Sequence, residues 1–175
     1  MTDVIKKVYD TDIDEHRVFL VVVDDSEEMR IALRFACMRA KNTGGRVALF
    51  RDIEPADFHH WAGISELMQD EAREAAEERL NELAEEVVEL SGLIPAIYVR
   101  AGPIEEELIA LIDEEPTISI LVLAASPSNE GPGPLVSHLV GKGTNAISIP
   151  ITIVCLLYTS PSPRDATLSR MPSSA

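Results

Sequence analysis

Val18-Phe19-Leu20-Val21-Val22-Val23 is an unbroken apolar run, rich in β-branched residues, that ends abruptly at Asp24-Asp25-Ser26. A half-exposed strand would alternate apolar with polar; this run does not, so it reads as a central strand of a parallel sheet, covered by helices on both faces. Ser26 is a helix N-cap, and Glu27 and Glu28 occupy the first turn, where carboxylates meet the positive end of a helix. The predicted helix runs to about Lys41 and is terminated by Asn42-Thr43-Gly44-Gly45. This junction places Asp24 at the carboxyl end of a central strand, where open α/β sheets bind their ligands.

The same alternation continues along the chain. Arg46 to Phe50 reads as a second strand, and Pro55 to Trp61 as a loop leading into the longest helix. In that helix Ile64, Leu67, Met68, Ala72, Ala75, Ala76, Leu80, Leu83, Ala84, Val87 and Val88 recur at intervals of three and four, opposite a Glu- and Arg-rich face; one stripe is expected to pack on the sheet. Gly92 closes the helix, Ile94 to Arg100 forms a third strand, and Gly102-Pro103 opens a third helix that stops before Pro116. Ile118 to Ala125 is a second continuous apolar strand. After Gly131-Pro132-Gly133 comes a short helix, Leu135 to Val140, then a fifth strand, Ile149 to Val154, in which Pro150 suits an edge. Strands alternating with helices imply right-handed βαβ crossovers and a parallel sheet, although periodicity does not give the strand order. No internal repeat is present.

At 175 residues the chain has the length of one domain with a sizeable core. Fifteen basic against thirty acidic residues give a formal charge of -15, which repels nucleic acid and anionic lipid over most of the surface and counts against both as partners. No apolar run reaches the roughly 18 residues of a membrane span, and the first residues lack the apolar core of a signal peptide; the expected location is cytoplasmic. Cys37 falls on the apolar face of the first helix and is expected to be a buried, inert thiol.

After Val154 the chain changes character to Cys155-Leu156-Leu157-Tyr158-Thr159-Ser160-Pro161-Ser162-Pro163-Arg164-Asp165 and further Ser- and Pro-rich sequence. The run resembles one reading frame of the transposase-end adapter used in preparing sequencing libraries. Residues 155–175 are therefore expected to be a non-native tail, 17–154 the folded domain and 1–16 an N-terminal extension.

Few residues are candidates for chemistry. The Asp24 carboxylate can accept hydrogen bonds from a ribose or a base, or it can satisfy the backbone of its own turn while Ser26 caps the helix. Gly131 and Gly133 let backbone N–H groups approach a phosphate near a helix start, while Pro132 and Pro134 remove donors there. Nine residues after Gly131 lies Gly141, followed by Lys142, whose ammonium can neutralise a phosphate; nine after Gly133 lies Gly143-Thr144. His59 and His60, adjacent in a loop, lack the spacing of a metal site, and His138 is expected on a helix surface. Gly-x-Ser-x-Gly, metalloprotease and phosphate-loop motifs are absent, so no catalytic constellation is expected.

The Asp24-Asp25-Ser26 turn and the late glycines together resemble the universal stress protein family, over Arg17 to Val154. Nucleotide-binding members of that family use an Asp-x-Ser turn after the first strand, then Gly-x-x-Gly, nine residues, and Gly-Ser or Gly-Thr. Here Lys142 follows Gly141 in one register, and in the second strand Asp52 stands where the family sets an apolar residue against adenine. The resemblance implies a single-domain five-stranded parallel sheet in the order 3-2-1-4-5, of the adenine nucleotide alpha hydrolase-like kind, with helices on both faces. It implies a homodimer formed through the Ile149 to Val154 edge strand, and a stress-response binding module that takes an adenine nucleotide, ATP or AMP. Asp24 would then face the sugar or base, Ser26 would belong to the same nucleotide site, and Gly131, Gly133, Gly141 and Lys142 would face the phosphate. The alternative is a stress protein that binds no nucleotide and acts through protein partners, as in members lacking the glycines; an enzyme of the related hydrolase folds is more remote.

Overall fold

The computed structural model describes residues 17–53, 62–126, 131–141 and 147–155, with residues 62–69 described by their backbone alone. In chain order these form β1 (Val18–Val22), α1 (Glu27–Thr43), β2 (Arg46–Ile53), α2 (Ala62–Ser91), β3 (Ala96–Ala101), α3 (Ile104–Glu114), β4 (Ile118–Ala125), α4 (Pro134–Gly141) and β5 (Ile151–Cys155). All strand pairs are parallel, in the order β3-β2-β1-β4-β5, as the family resemblance implies.

β1 shows why its sequence does not alternate. Phe19, Val21 and Val23 enter one core, with Met29 and Leu33 of α1 and Leu80 and Leu83 of α2. Leu20 and Val22 enter the opposite core, with Leu108 and Leu111 of α3 and Val136 and Leu139 of α4. A polar side chain at any of these positions would lose water without a partner, so only the strand ends are open to polar residues. Cys37 lies in the first core, fully buried, and desolvation pushes its thiol up to about 11, with Glu86 adding to the shift. The expected inert role follows, because the nucleophilic thiolate is scarce at neutral pH.

Element boundaries differ from the sequence reading where proline and pairing intervene. β3 begins at Ala96, not Ile94, because Pro95 has no N–H to give the ladder; Ala96 is the first residue paired with β2, opposite Ala48. β5 likewise begins after Pro150, whose carbonyl accepts a bond from the Leu121 N–H, and runs through Cys155, opposite Ala125. The boundary expected at Val154 therefore falls one residue inside the ladder, which uses backbone groups and is indifferent to the side chain. β2 continues past Phe50 through Arg51, Asp52 and Ile53, held against Val99, Arg100 and Ala101 of β3.

The long helix departs most from expectation. Thirty residues at 1.5 Å span about 45 Å, whereas the eight residues of β2 span about 26 Å, so α2 outruns the sheet. Ala76, Leu80, Leu83 and Val87 are buried as predicted, but Ala72, Ala75 and Val88 are exposed. Because β2 and β3 are parallel, the helix between them runs back against them and its early turns overhang the carboxyl end of the sheet. Ala72 and Ala75 line a crevice there instead of packing on strands.

Candidate functional site

The crevice, of about 1130 Å³, lies across the carboxyl ends of the central strands. Its floor is formed by Val22, Val23 and Leu123, one wall by the overhang of α2, and its rims by the loops that leave β1, β3 and β4. The continuous apolar strands end here, and the polar residues that follow them are gathered by the parallel topology.

At the β1 rim Asp24 folds back on its own turn. Asp24 Oδ1 accepts from the Ser26 N–H at 2.9 Å and also from the Ser26 hydroxyl, while Ser26 Oγ accepts from the Met29 N–H at 3.2 Å. The turn therefore serves the backbone and caps α1, the structural role foreseen for it. It also fixes the orientation of the Asp24 carboxylate, which remains exposed and lines the crevice.

Beside it, Asp25 receives a two-pronged grip from Arg51: Nη1 donates to Oδ1 at 3.1 Å and Nη2 to Oδ2 at 2.9 Å. The Arg51 hydrogen bond and charge hold the Asp25 carboxyl below the usual carboxylate range, with the charge of Arg79 adding to the effect. The side chain of Arg51 is 22% exposed and that of Asp25 74%, so the cation is held by the fold and the anion is not. Arg51 and Arg79 are the cations among the described lining residues; they face five carboxylates, Asp24, Asp25, Glu28, Asp52 and Glu105. Neither arginine was singled out from the sequence. The signal was available for Arg51, which follows an apolar strand just as Asp24 follows β1. Arg79 carries no such mark, because only the length of α2 relative to the strands brings it here.

At the β4 rim Pro132 and Gly133 line the crevice, with Gly131 one residue before them. Gly131 and Gly133 have φ of 118° and 102°, values that L side chains rarely adopt. The Ser126 N–H donates to the Pro132 carbonyl at 3.2 Å, tying the loop to the end of β4. Gly141 is not among the residues that line the crevice: α4 extends one residue beyond the predicted end to include it, which sets it one helix length away from Gly133. Lys142, Gly143 and Thr144 lie outside the described residues, as do His59, His60 and Trp61. His138 is exposed on α4. The β3 rim adds Gly102, with φ of 154°; a Cβ there would come within 2.8 Å of Glu107 Oε1. Among the described residues no group of three or more His, Cys, Asp or Glu side chains is arranged to hold a metal, and no helix is long and apolar enough to cross a membrane.

A parallel sheet in the order β3-β2-β1-β4-β5 with a ligand-sized crevice over its central strand ends defines an open α/β protein with its crevice at the topological switch point. The profile of the Universal stress protein family matches residues 15–142, and the chain belongs to that family. Its fold is similar to that of the universal stress protein UspA from Lactobacillus plantarum, with a TM-score of 0.67 at 16% identity over 79% of this chain and 97% of that one. It is also similar to a universal stress protein from Archaeoglobus fulgidus in complex with dAMP (TM-score 0.53, 15% identity, 79% and 97% covered). A universal stress protein in complex with cAMP gives a TM-score of 0.51 at 14% identity, with 79% and 96% covered. No curated protein matches the chain.

Proposed function

We propose that this universal stress protein is a binding module whose crevice takes an adenine nucleotide. The observation that carries the reading is Asp24: its Oδ1 is occupied by Ser26, so the carboxylate is pre-oriented, and Oδ2 is left to accept from ribose hydroxyls or a base amine. Ser26 acts here by holding Asp24, and Gly131 and Gly133 keep the opposite rim low enough for a ligand to enter. Gly141 takes no part in this reading. The complexes of related proteins with dAMP and cAMP support an adenine nucleotide as the ligand class. At about 100 times its dissociation constant a ligand stabilises the native state by about 2.7 kcal/mol, so AMP, ADP or ATP should raise the melting temperature, and Asp24→Ala should abolish the rise without unfolding the protein. An unmoved melting curve with millimolar levels of all three would favour the reading in which the chain acts through protein partners.

The protein is further proposed to form a homodimer through β5. That strand lies at the edge of the sheet and exposes 41% of Ile153 beside backbone groups that β4 does not use. Sedimentation should show a dimer at tens of micromolar that Ile153→Pro, which removes an N–H facing away from β4, converts to monomer; a wild-type monomer would overturn the proposal.

A further inference from the structure

We infer that the crevice selects a nucleoside monophosphate, whose phosphate is held by Arg51 in exchange for Asp25, with Arg79 as the second cation. This rests on the adenine-nucleotide reading and names its anion site. Asp25 is the internal occupant of that site: a carboxylate gripped by both arms of a guanidinium presents the same fork of acceptor oxygens that a phosphate would. The exchange costs little, because an ion pair with one largely exposed partner adds little to stability. A phosphate monoester offers three acceptor oxygens and more charge than a carboxylate. Once Asp25 turns outward, Arg79 on the overhang of α2 faces the same space. Its charge already acts on Asp25, and among the described residues it pairs with Glu82, one turn along the same helix at 2.9 Å.

The opposite rim argues the same way. Pro132 and Pro134 have no N–H, so the loop before α4 and the first position of that helix withhold donors that a phosphate would use. Charge sets the size of the anion. Among the described lining residues two guanidiniums are already outnumbered by five carboxylates, so each phosphate beyond the one gripped by Arg51 would add anionic oxygens among Asp24, Glu28, Asp52 and Glu105 with no further cation to meet them.

The test is calorimetric titration of the full chain with adenosine, AMP and ATP, on the wild type and on Arg51→Gln, Arg51→Lys, Arg79→Gln and Asp25→Asn, each checked for an intact melting transition. AMP should bind at least about 10-fold more tightly than adenosine, the worth of one charge-assisted hydrogen bond, and ATP no more tightly than AMP. Arg51→Gln should bring AMP down to the adenosine level and leave adenosine unchanged, with Arg51→Lys intermediate because it keeps the charge and loses the fork. Arg79→Gln should reduce the AMP advantage, and Asp25→Asn, which removes the internal competitor, should tighten AMP alone. Equal binding of AMP and adenosine, an AMP advantage that survives Arg51→Gln, or weaker AMP binding by Asp25→Asn would overturn the inference while leaving the adenine site standing. Absence of binding by all three ligands would overturn both.

Discussion

On the β1 side of the crevice the rim is made of side chains that hold one another, Asp24 with Ser26 and Asp25 with Arg51, whereas on the β4 side it is made of backbone, two glycines at positive φ alternating with prolines. The first rim stands on fully buried strands: Phe50 and Val21 are inaccessible to solvent, and the Phe50 carbonyl accepts from the Val23 N–H at 2.8 Å, locking β1 and β2 together just below Arg51. The second is tied by the Ser126 N–H to the Pro132 carbonyl, by the Ser137 N–H to the Gly133 carbonyl, and by the buried side of α4. The difference separates two jobs. In the proposed binding role, recognition by charge and hydrogen bonding belongs to the rim whose side chains are pre-oriented, and access to the rim made of backbone.

That contrast is broken or sharpened by graded substitutions. Phe50→Ala removes the largest side chain beneath the recognition rim and should cost about 3–5 kcal/mol in urea unfolding; a loss below about 1 kcal/mol would mean the rim is not rooted in the core. Gly133→Ala meets no atom within 4 Å, so its cost should come from the backbone alone, about 1–3 kcal/mol. If it costs nothing measurable, the β4 rim has no fixed conformation to lose. Ser26→Ala should cost about 1 kcal/mol through the lost cap, and should weaken nucleotide binding beyond that loss of stability because Asp24 is released.

The smallest effect is electrostatic. Arg51 lowers the folded pKa of Asp25 below its ordinary 3.8, so the pair's contribution to stability is fully present above that value and is lost as pH falls through the lower folded pKa. Since Asp25 is largely exposed, the contribution should stay below about 1 kcal/mol, and Asp25→Asn should flatten the acid limb only slightly. A large change in acid stability on that substitution would make Asp25 a structural strut instead of a displaceable occupant.

The fold was legible because its signals are local: apolar runs without alternation, an N-cap at Ser26, glycine and proline at the ends of elements. The strand order was legible only through resemblance, since no periodicity records which parallel strands become neighbours. In the site, Asp24 and Ser26 could be read because a strand end and a helix cap coincide there. The spacing rule that picks out Gly141 counts residues alone, and α4 sets that glycine at its far end, outside the residues that line the crevice. Arg51 was hidden by ending β2 three residues early at Phe50, and Arg79 by assigning the charged face of α2 to solvent, when the overhang turns part of that helix toward the ligand space.

Amide NMR titration of the wild type with AMP tests the central claim most directly. The account predicts shifts concentrated at Asp24, Asp25, Ser26 and Arg51, smaller ones at Gly102 and Gly133, and none of these in Asp24→Ala. Shifts clustered away from the carboxyl ends of β1 and β2, or an unchanged pattern in Asp24→Ala, would contradict it.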